Sequence, residues 1–207
     1  MTGDKQVLFC PGIPGAGKTI LSATVIDHLH THFRNDPDVG MAYLYCNFQR
    51  RSTQGADDLV VNLLKQLASG RPDLPHVVKA LHNEGGRPSL DKVSTALRAV
   101  VAEYSKVFVV VDALDECASA EGHRERLLAR LLDLHSTAGV SVFTTSRSIP
   151  DIVKVLGGFP LLEIRATRED VGRYLQGHIG ELMAFVARSA DLQETIVSAI
   201  SNAADGM

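Results

Sequence analysis

Residues 10–21 read CPGIPGAGKTIL, and the eight from Gly12 to Thr19 fit the pattern G-x-x-x-x-G-K-[ST]. Just before them, Val7, Leu8, Phe9 and Cys10 form a short apolar run suited to a buried strand. Just after them, Leu21, Val25, Leu29 and Phe33 recur at helical spacing, which predicts a helix over residues 20–33. Strand, glycine loop and helix is the order a chain needs to hold a polyphosphate on backbone N–H groups at a helix N-terminus. Gly12, Gly15 and Gly17 permit backbone angles and close approaches that side chains would block. Pro14 has no N–H, so the donors are expected from Gly15 to Thr19. The expected nucleotide contacts are therefore Gly12, Ile13, Pro14, Gly15, Ala16, Gly17, Lys18, Thr19 and Ile20. Lys18 would reach the β- and γ-phosphates, and the Thr19 hydroxyl would be a Mg²⁺ ligand.

A phosphate loop needs an acid, and VFVVVD at residues 107–112 supplies one. An unbroken apolar run is how a central parallel strand reads, buried on both faces. Asp112 at its end would hold Mg²⁺, through water. Asp115 and Glu116 follow, where a carboxylate would orient or deprotonate a water near a γ-phosphate; the plainer alternative is a solvated loop or an acid-favouring helix start. VSVFTT at 140–145 is a further strand running into Ser146 and Arg147. Arg147 would sense the γ-phosphate there, or form a surface ion pair. Arg50 and Arg51, after the strand candidate at 40–48, read best as ordinary surface charges.

Between these motifs strands and helices alternate. Helices are expected over 56–68 and 76–82, from Ser89 with Val93, Leu97, Val100, Val101 and Tyr104 buried, and over 124–135. Residues 161–164 make a fifth short strand. Thr167 and Asp170 sit as N-cap and N3 of a capping-box variant that opens a helix, and Leu192, Ile196, Val197 and Ile200 mark one more. The fold expected is α/β: a three-layer sandwich around a parallel five-stranded sheet, followed by the start of a helical region. The division expected is a nucleotide-binding core over 1–165 and a truncated helical region over 166–207. Ligands on such sheets bind at the carboxyl ends of the strands, where all the motifs fall.

Composition narrows the classes. The chain has 207 residues, 45% hydrophobic, with a formal net charge of −3, so no basic face points to nucleic acid. Cys10, Cys46 and Cys117 are odd in number and far apart, which reads as reduced, mostly buried thiols of a cytoplasmic protein. His28, His30 and His32 scatter around their helix and read as solvated. No apolar run is long enough for a membrane span and no signal peptide opens the chain.

Together the phosphate loop, the pattern h-h-h-h-D-[GAS]-h-D-E and the T-T-S-R strand end resemble a NACHT domain, of the signal-transduction class of P-loop NTPases. The stretch LFCPGIPGAGKTILSATVIDHL is similar to fungal NACHT proteins, NOD-like receptors with C-terminal repeat arrays. Ala113 matches the small residue that the family places after its first acid. The resemblance implies a nucleotide switch, ATP or GTP with Mg²⁺ and slow hydrolysis, controlling self-assembly between an effector and a repeat region of one longer chain. Carried over by position, Lys18 and Thr19 are the loop pair, Asp112 the metal acid, Asp115 and Glu116 the distal acids, and Arg147 the residue after the fourth strand. The family's winged-helix region and much of its lead-in are absent, so this chain looks like an excised core. The other readings are a nucleotide-binding scaffold without hydrolysis and a P-loop kinase; a kinase would need an arginine-bearing lid and does not carry this acid pattern. A nucleic-acid-dependent motor is disfavoured by the mild acidity.

Overall fold

The computed structural model describes residues 6–47, 55–117, 122–182, 186 and 188–203. Arg50 and Arg51 lie outside the described residues. The chain divides into two compact units, Met1–Pro11 with Lys18–Glu163, and Gly12–Gly17 with Ile164–Met207.

The first unit is built on four parallel strands, β1 Val7–Pro11, β2 Val39–Tyr45, β3 Lys106–Asp112 and β4 Ser141–Ser146, in the spatial order β1-β4-β3-β2. Its helices are α1 Lys18–His32, α2 Ala56–Ser69, α3 His76–Asn83, α4 Leu90–Ala102, α5 His123–Ala138 and α6 Pro150–Leu156. Side chains alternate across a strand, and β3 uses both faces. Val107, Val109 and Val111 enter a core with Leu63, Leu67, Leu97 and Leu127 from α2, α4 and α5. Each fully buried leucine there contributes about 1.5–3 kcal/mol. Asp112 projects from the opposite face, toward α1. Of α1 only Ser22 is buried; Leu21, Val25, Leu29 and Phe33 are half-buried, and Phe33 stacks on Phe108 at 5.4 Å.

Several expectations are met residue by residue. Val93, Leu97, Val100, Val101 and Tyr104 are buried behind an N-cap at Ser89. His28, His30 and His32 are exposed, and Cys10, Cys46 and Cys117 are buried free thiols. Among the described residues no helix is long and apolar enough to cross a membrane. The helix Pro150–Leu156, with proline in its first turn, was not anticipated.

Among the described residues the sheet has four strands, not five. Residues 161–164 make only isolated parallel bridges, Phe9 with Leu161 and Gly12 with Ile164. The reason lies in Pro11. The Phe9 N–H donates to the Pro160 carbonyl at 3.0 Å, and the Leu162 N–H donates back to Phe9 at 2.9 Å. The next donor from β1 on that side belongs to residue 11, and proline has no N–H to continue the ladder.

At the other edge, β2 is blunted by a side chain. The Tyr43 N–H donates to Gln66 Oε1 at 2.9 Å, and Gln66 Nε2 donates to the Tyr43 carbonyl at 2.7 Å. One amide thus satisfies both groups that an added strand would use. Gln66→Ala is expected to lower stability by about 1 kcal/mol and to promote edge-to-edge association. Denaturant unfolding and light scattering check the two effects.

In the second unit, α7 Arg168–His178 opens on the expected capping box: the Asp170 N–H donates to Thr167 Oγ1 at 3.1 Å, and the Thr167 N–H donates to Asp170 Oδ2 at 3.0 Å. Helix α8 Ala190–Ala203 packs on α7, with Leu192, Ile196 and Val197 half-buried and Ile200 exposed.

Candidate functional site

The glycine loop shows the backbone its sequence requires. Gly15 and Gly17 hold φ of 82° and 87°, the left-handed region that side chains rarely enter. The Ala16 N–H donates to the Ile13 carbonyl at 3.3 Å, closing a turn between them. Ile13, Pro14, Gly15 and Gly17 are exposed. The chain continues directly into α1, whose first residues are Lys18, half-buried, and Thr19, exposed.

Within the first unit, the carboxyl ends of β3 and β4 and the start of α1 meet at Asp112, which is only 3% exposed. Its carboxylate accepts three hydroxyls. Thr19 donates to Oδ2 at 2.8 Å, while Ser22 and Thr145 both donate to Oδ1 at 2.7 Å. Thr145 in turn accepts the Ala113 N–H at 3.0 Å. Ala113 has φ 54° and ψ 49° and is the non-glycine residue with positive φ among the described residues. A small side chain limits the cost of that left-handed step, which turns β3 into the 3₁₀ turn Leu114–Glu116.

Thr19 and Asp112 were expected to share a metal, and the fold brings them into hydrogen-bond contact across 93 residues. The cluster offers one carboxylate and one adjacent hydroxyl, an all-oxygen donor set that suits a hard divalent cation. Among the described residues no group of three or more His, Cys, Asp or Glu side chains could hold a metal by itself. A Mg²⁺ ion at Asp112 would thus need phosphate oxygens and water to complete its shell.

Asp115 and Arg147 are brought together as a pair. Arg147 Nε donates to Asp115 Oδ2 at 2.5 Å, and the Arg147 backbone N–H donates to Oδ1 at 2.9 Å. Asp115 is 4% exposed, whereas the Arg147 side chain is 49% exposed. Burial pushes the Asp115 carboxyl up, but the hydrogen bonds and charge of Arg147 outweigh it and hold the group below the ordinary carboxylate range. Asp115 raises the Arg147 value in return. Glu116 stands at the end of the turn, half-buried, its N–H donating to the Ala113 carbonyl at 2.7 Å.

Removing one side of this pair has a definite sign. Asp115→Ala is expected to destabilise the fold by about 2 kcal/mol at pH 7, below the range for fully buried pairs because Arg147 is half in water. A carboxyl with a lowered folded pKa contributes stability that is complete above its unfolded value, near ~3.9, and lost as pH falls through the folded one. The gap between wild type and variant should therefore be constant from pH 8 to 5 and shrink below pH ~4, as read by denaturant unfolding.

Ser22 and Thr145 were not singled out from sequence. The signals were present: Ser22 lies one turn after Thr19 on the same helix face, and Thr145 sits in the polar end of an otherwise apolar strand. Beside the cluster, Cys46 and Cys117 share a side-chain hydrogen bond, which together with burial drives the Cys46 thiol far above its ordinary value; burial alone pushes Cys10 up to about 11. Cys46 and Cys10 are therefore protonated, inert thiols. A cavity of about 640 Å³, lined by His30, Phe33, Arg34, Asp36 and Met41 among others, opens at the amino end of β2 and includes none of the Asp112 cluster.

The chain is 24% identical over 161 residues to vegetative incompatibility protein HET-E-1 of Podospora anserina, a match that spans 74% of this chain and 12% of that protein. The resemblance to fungal NACHT proteins carried by the motifs is thereby supported across most of the chain. Among solved structures, Aeropyrum pernix ORC1 in complex with DNA superposes with a TM-score of 0.58 at 16% identity, over 85% of this chain and 44% of that one. A Walker-type ATPase of Pyrococcus abyssi gives 0.55 at 12% identity, over 92% and 57%. These likenesses show the fold alone: an α/β arrangement of helices on a parallel sheet, shared with both of those proteins. The family model for the nephrocystin 3 N-terminal region matches residues 1–147, from the start of the chain through Arg147. This chain belongs to the nephrocystin 3 N-terminal family.

Proposed function

We propose that the chain is a nucleotide-binding switch module that takes ATP or GTP with Mg²⁺ and hydrolyses it slowly. The observation that carries this reading is the Thr19–Asp112 hydrogen bond: the last residue of the phosphate-loop motif and the acid at the end of β3 meet at 2.8 Å. Loop amides from Gly15 to Thr19 would bind phosphate oxygens, with Lys18 Nζ on the β- and γ-phosphates. Thr19 and Asp112 would hold Mg²⁺, which neutralises charge on the phosphate oxygens when bound. Glu116 would orient the attacking water.

Asp115 takes a different part from the one its position first suggests. Held below the ordinary carboxylate range, it is a weak base, and its partner is Arg147. It would keep Arg147 at the strand end, where the guanidinium can exchange toward a γ-phosphate. Residues 166–207 would begin a helical region, and the whole would act within a longer chain carrying effector and repeat segments, with self-assembly on activation. The match to only 12% of HET-E-1 fits such a setting. The reduced thiols fit a cytoplasmic location.

Phosphate release tests the reading. With Mg²⁺ and ATP or GTP but no second substrate, slow release over hours is expected. Binding without release would favour the non-hydrolysing scaffold, and release only when an acceptor is supplied would favour a kinase. Stimulation by added DNA would overturn the view that nucleic acid is not a partner; the ORC1 neighbour was solved with DNA.

A further inference from the structure

We propose that Ser22 and Thr145 set which divalent cation the Asp112 centre accepts, favouring Mg²⁺ over Ca²⁺. The inference rests on the nucleotide-binding reading above and concerns two residues outside it. A carboxylate oxygen offers two lone-pair directions. At Oδ1 both are taken, by the Ser22 and Thr145 hydroxyls at 2.7 Å each. Both residues are fully buried, so water does not compete for these bonds. Thr145 cannot turn away either, because its oxygen accepts the Ala113 N–H at 3.0 Å while its proton goes to Asp112. Ser22 is held in the first turns of α1, on the same face as Thr19.

Asp112 therefore presents a cation with Oδ2 alone, on the side where the Thr19 hydroxyl stands. That geometry discriminates between cations. Ca²⁺ takes six to eight oxygens at about 2.3–2.6 Å and commonly uses both oxygens of a carboxylate. Mg²⁺ demands an octahedron at about 2.0–2.1 Å, keeps several waters and needs only one carboxylate oxygen. Saturating Oδ1 removes the bidentate mode that Ca²⁺ favours and leaves the single-oxygen or water-mediated mode that Mg²⁺ favours. Ser22 and Thr145 are positioning residues: they act through the carboxylate.

The test titrates Mg²⁺ and, separately, Ca²⁺ into the 207-residue chain with fluorescently labelled ATP, for wild type, Ser22→Ala, Thr145→Val and Thr145→Ser. Wild type should reach half-saturation at a Mg²⁺ concentration at least about tenfold below that for Ca²⁺. Ser22→Ala and Thr145→Val should each weaken Mg²⁺ about tenfold while leaving Ca²⁺ within about threefold, so that the preference collapses; Thr145→Ser should restore it. Thr145→Val also orphans the Ala113 N–H, so Ser22→Ala, which keeps that bond, decides the matter if the valine variant does not fold. If the hydroxyls merely satisfy a buried carboxylate, both cations weaken equally, and the proposal is overturned. Wild type that binds labelled ATP with no preference for Mg²⁺ overturns the selectivity alone. Wild type that binds no labelled ATP with either cation overturns the nucleotide reading and this inference with it.

Discussion

Lys18→Ala is expected to weaken binding of Mg²⁺-ATP or Mg²⁺-GTP at least about a hundredfold, with little change in stability. Lys18 opens α1 immediately after the glycine loop and is half-buried, so its stem contributes modestly to packing. Its ammonium would meet two phosphate groups, where charge-assisted bonds are roughly twice as strong as neutral ones. Loop amides alone would leave that charge uncompensated. Thermal unfolding without nucleotide should place the variant within about 0.5 kcal/mol of wild type, while a labelled-nucleotide titration should show the affinity loss. Equal affinities would remove Lys18 from the site.

Glu116→Gln should act on the rate and not on binding. Hydrolysis is expected to fall about a hundredfold, the lower end of what a positioned acid or base contributes, with nucleotide affinity unchanged within about twofold. The choice of Glu116 over Asp115 follows from their surroundings. Asp115 is buried and bound through both oxygens by Arg147, which lowers its basicity. Glu116, one residue on, is half-buried at the end of the 3₁₀ turn. Single-turnover phosphate release compares the two proteins directly; a variant as fast as wild type would exclude Glu116 as the residue that orients water.

How legible this was depended on how local each feature is. The apolar run at β3, the helical face of α4 and the Thr167–Asp170 capping box are set by neighbours in sequence, and each stands where its pattern puts it. The fifth strand fails for a reason that is also in the sequence but needs the register to be seen: Pro11 falls on the side of β1 that faces residues 160–164. The partners of Asp112 were harder. Ser22 and Thr145 lie 90 and 33 residues away, and nothing local tells a hydroxyl that donates to a distant carboxylate from one that faces water. Asp115 and Arg147 each read as candidates facing a phosphate; that they face each other is a property of the β3–β4 pairing, which joins positions 32 apart in the chain.

The most direct test of the central claim is the Mg²⁺ dependence of nucleotide binding by wild type. Labelled ATP and GTP are titrated in excess Mg²⁺ and again in excess EDTA. The account predicts saturable binding that weakens at least about tenfold when the cation is removed, because Thr19 and Asp112 would otherwise face the phosphates without it. Binding that is indifferent to EDTA, or no saturable binding of either nucleotide, would contradict it.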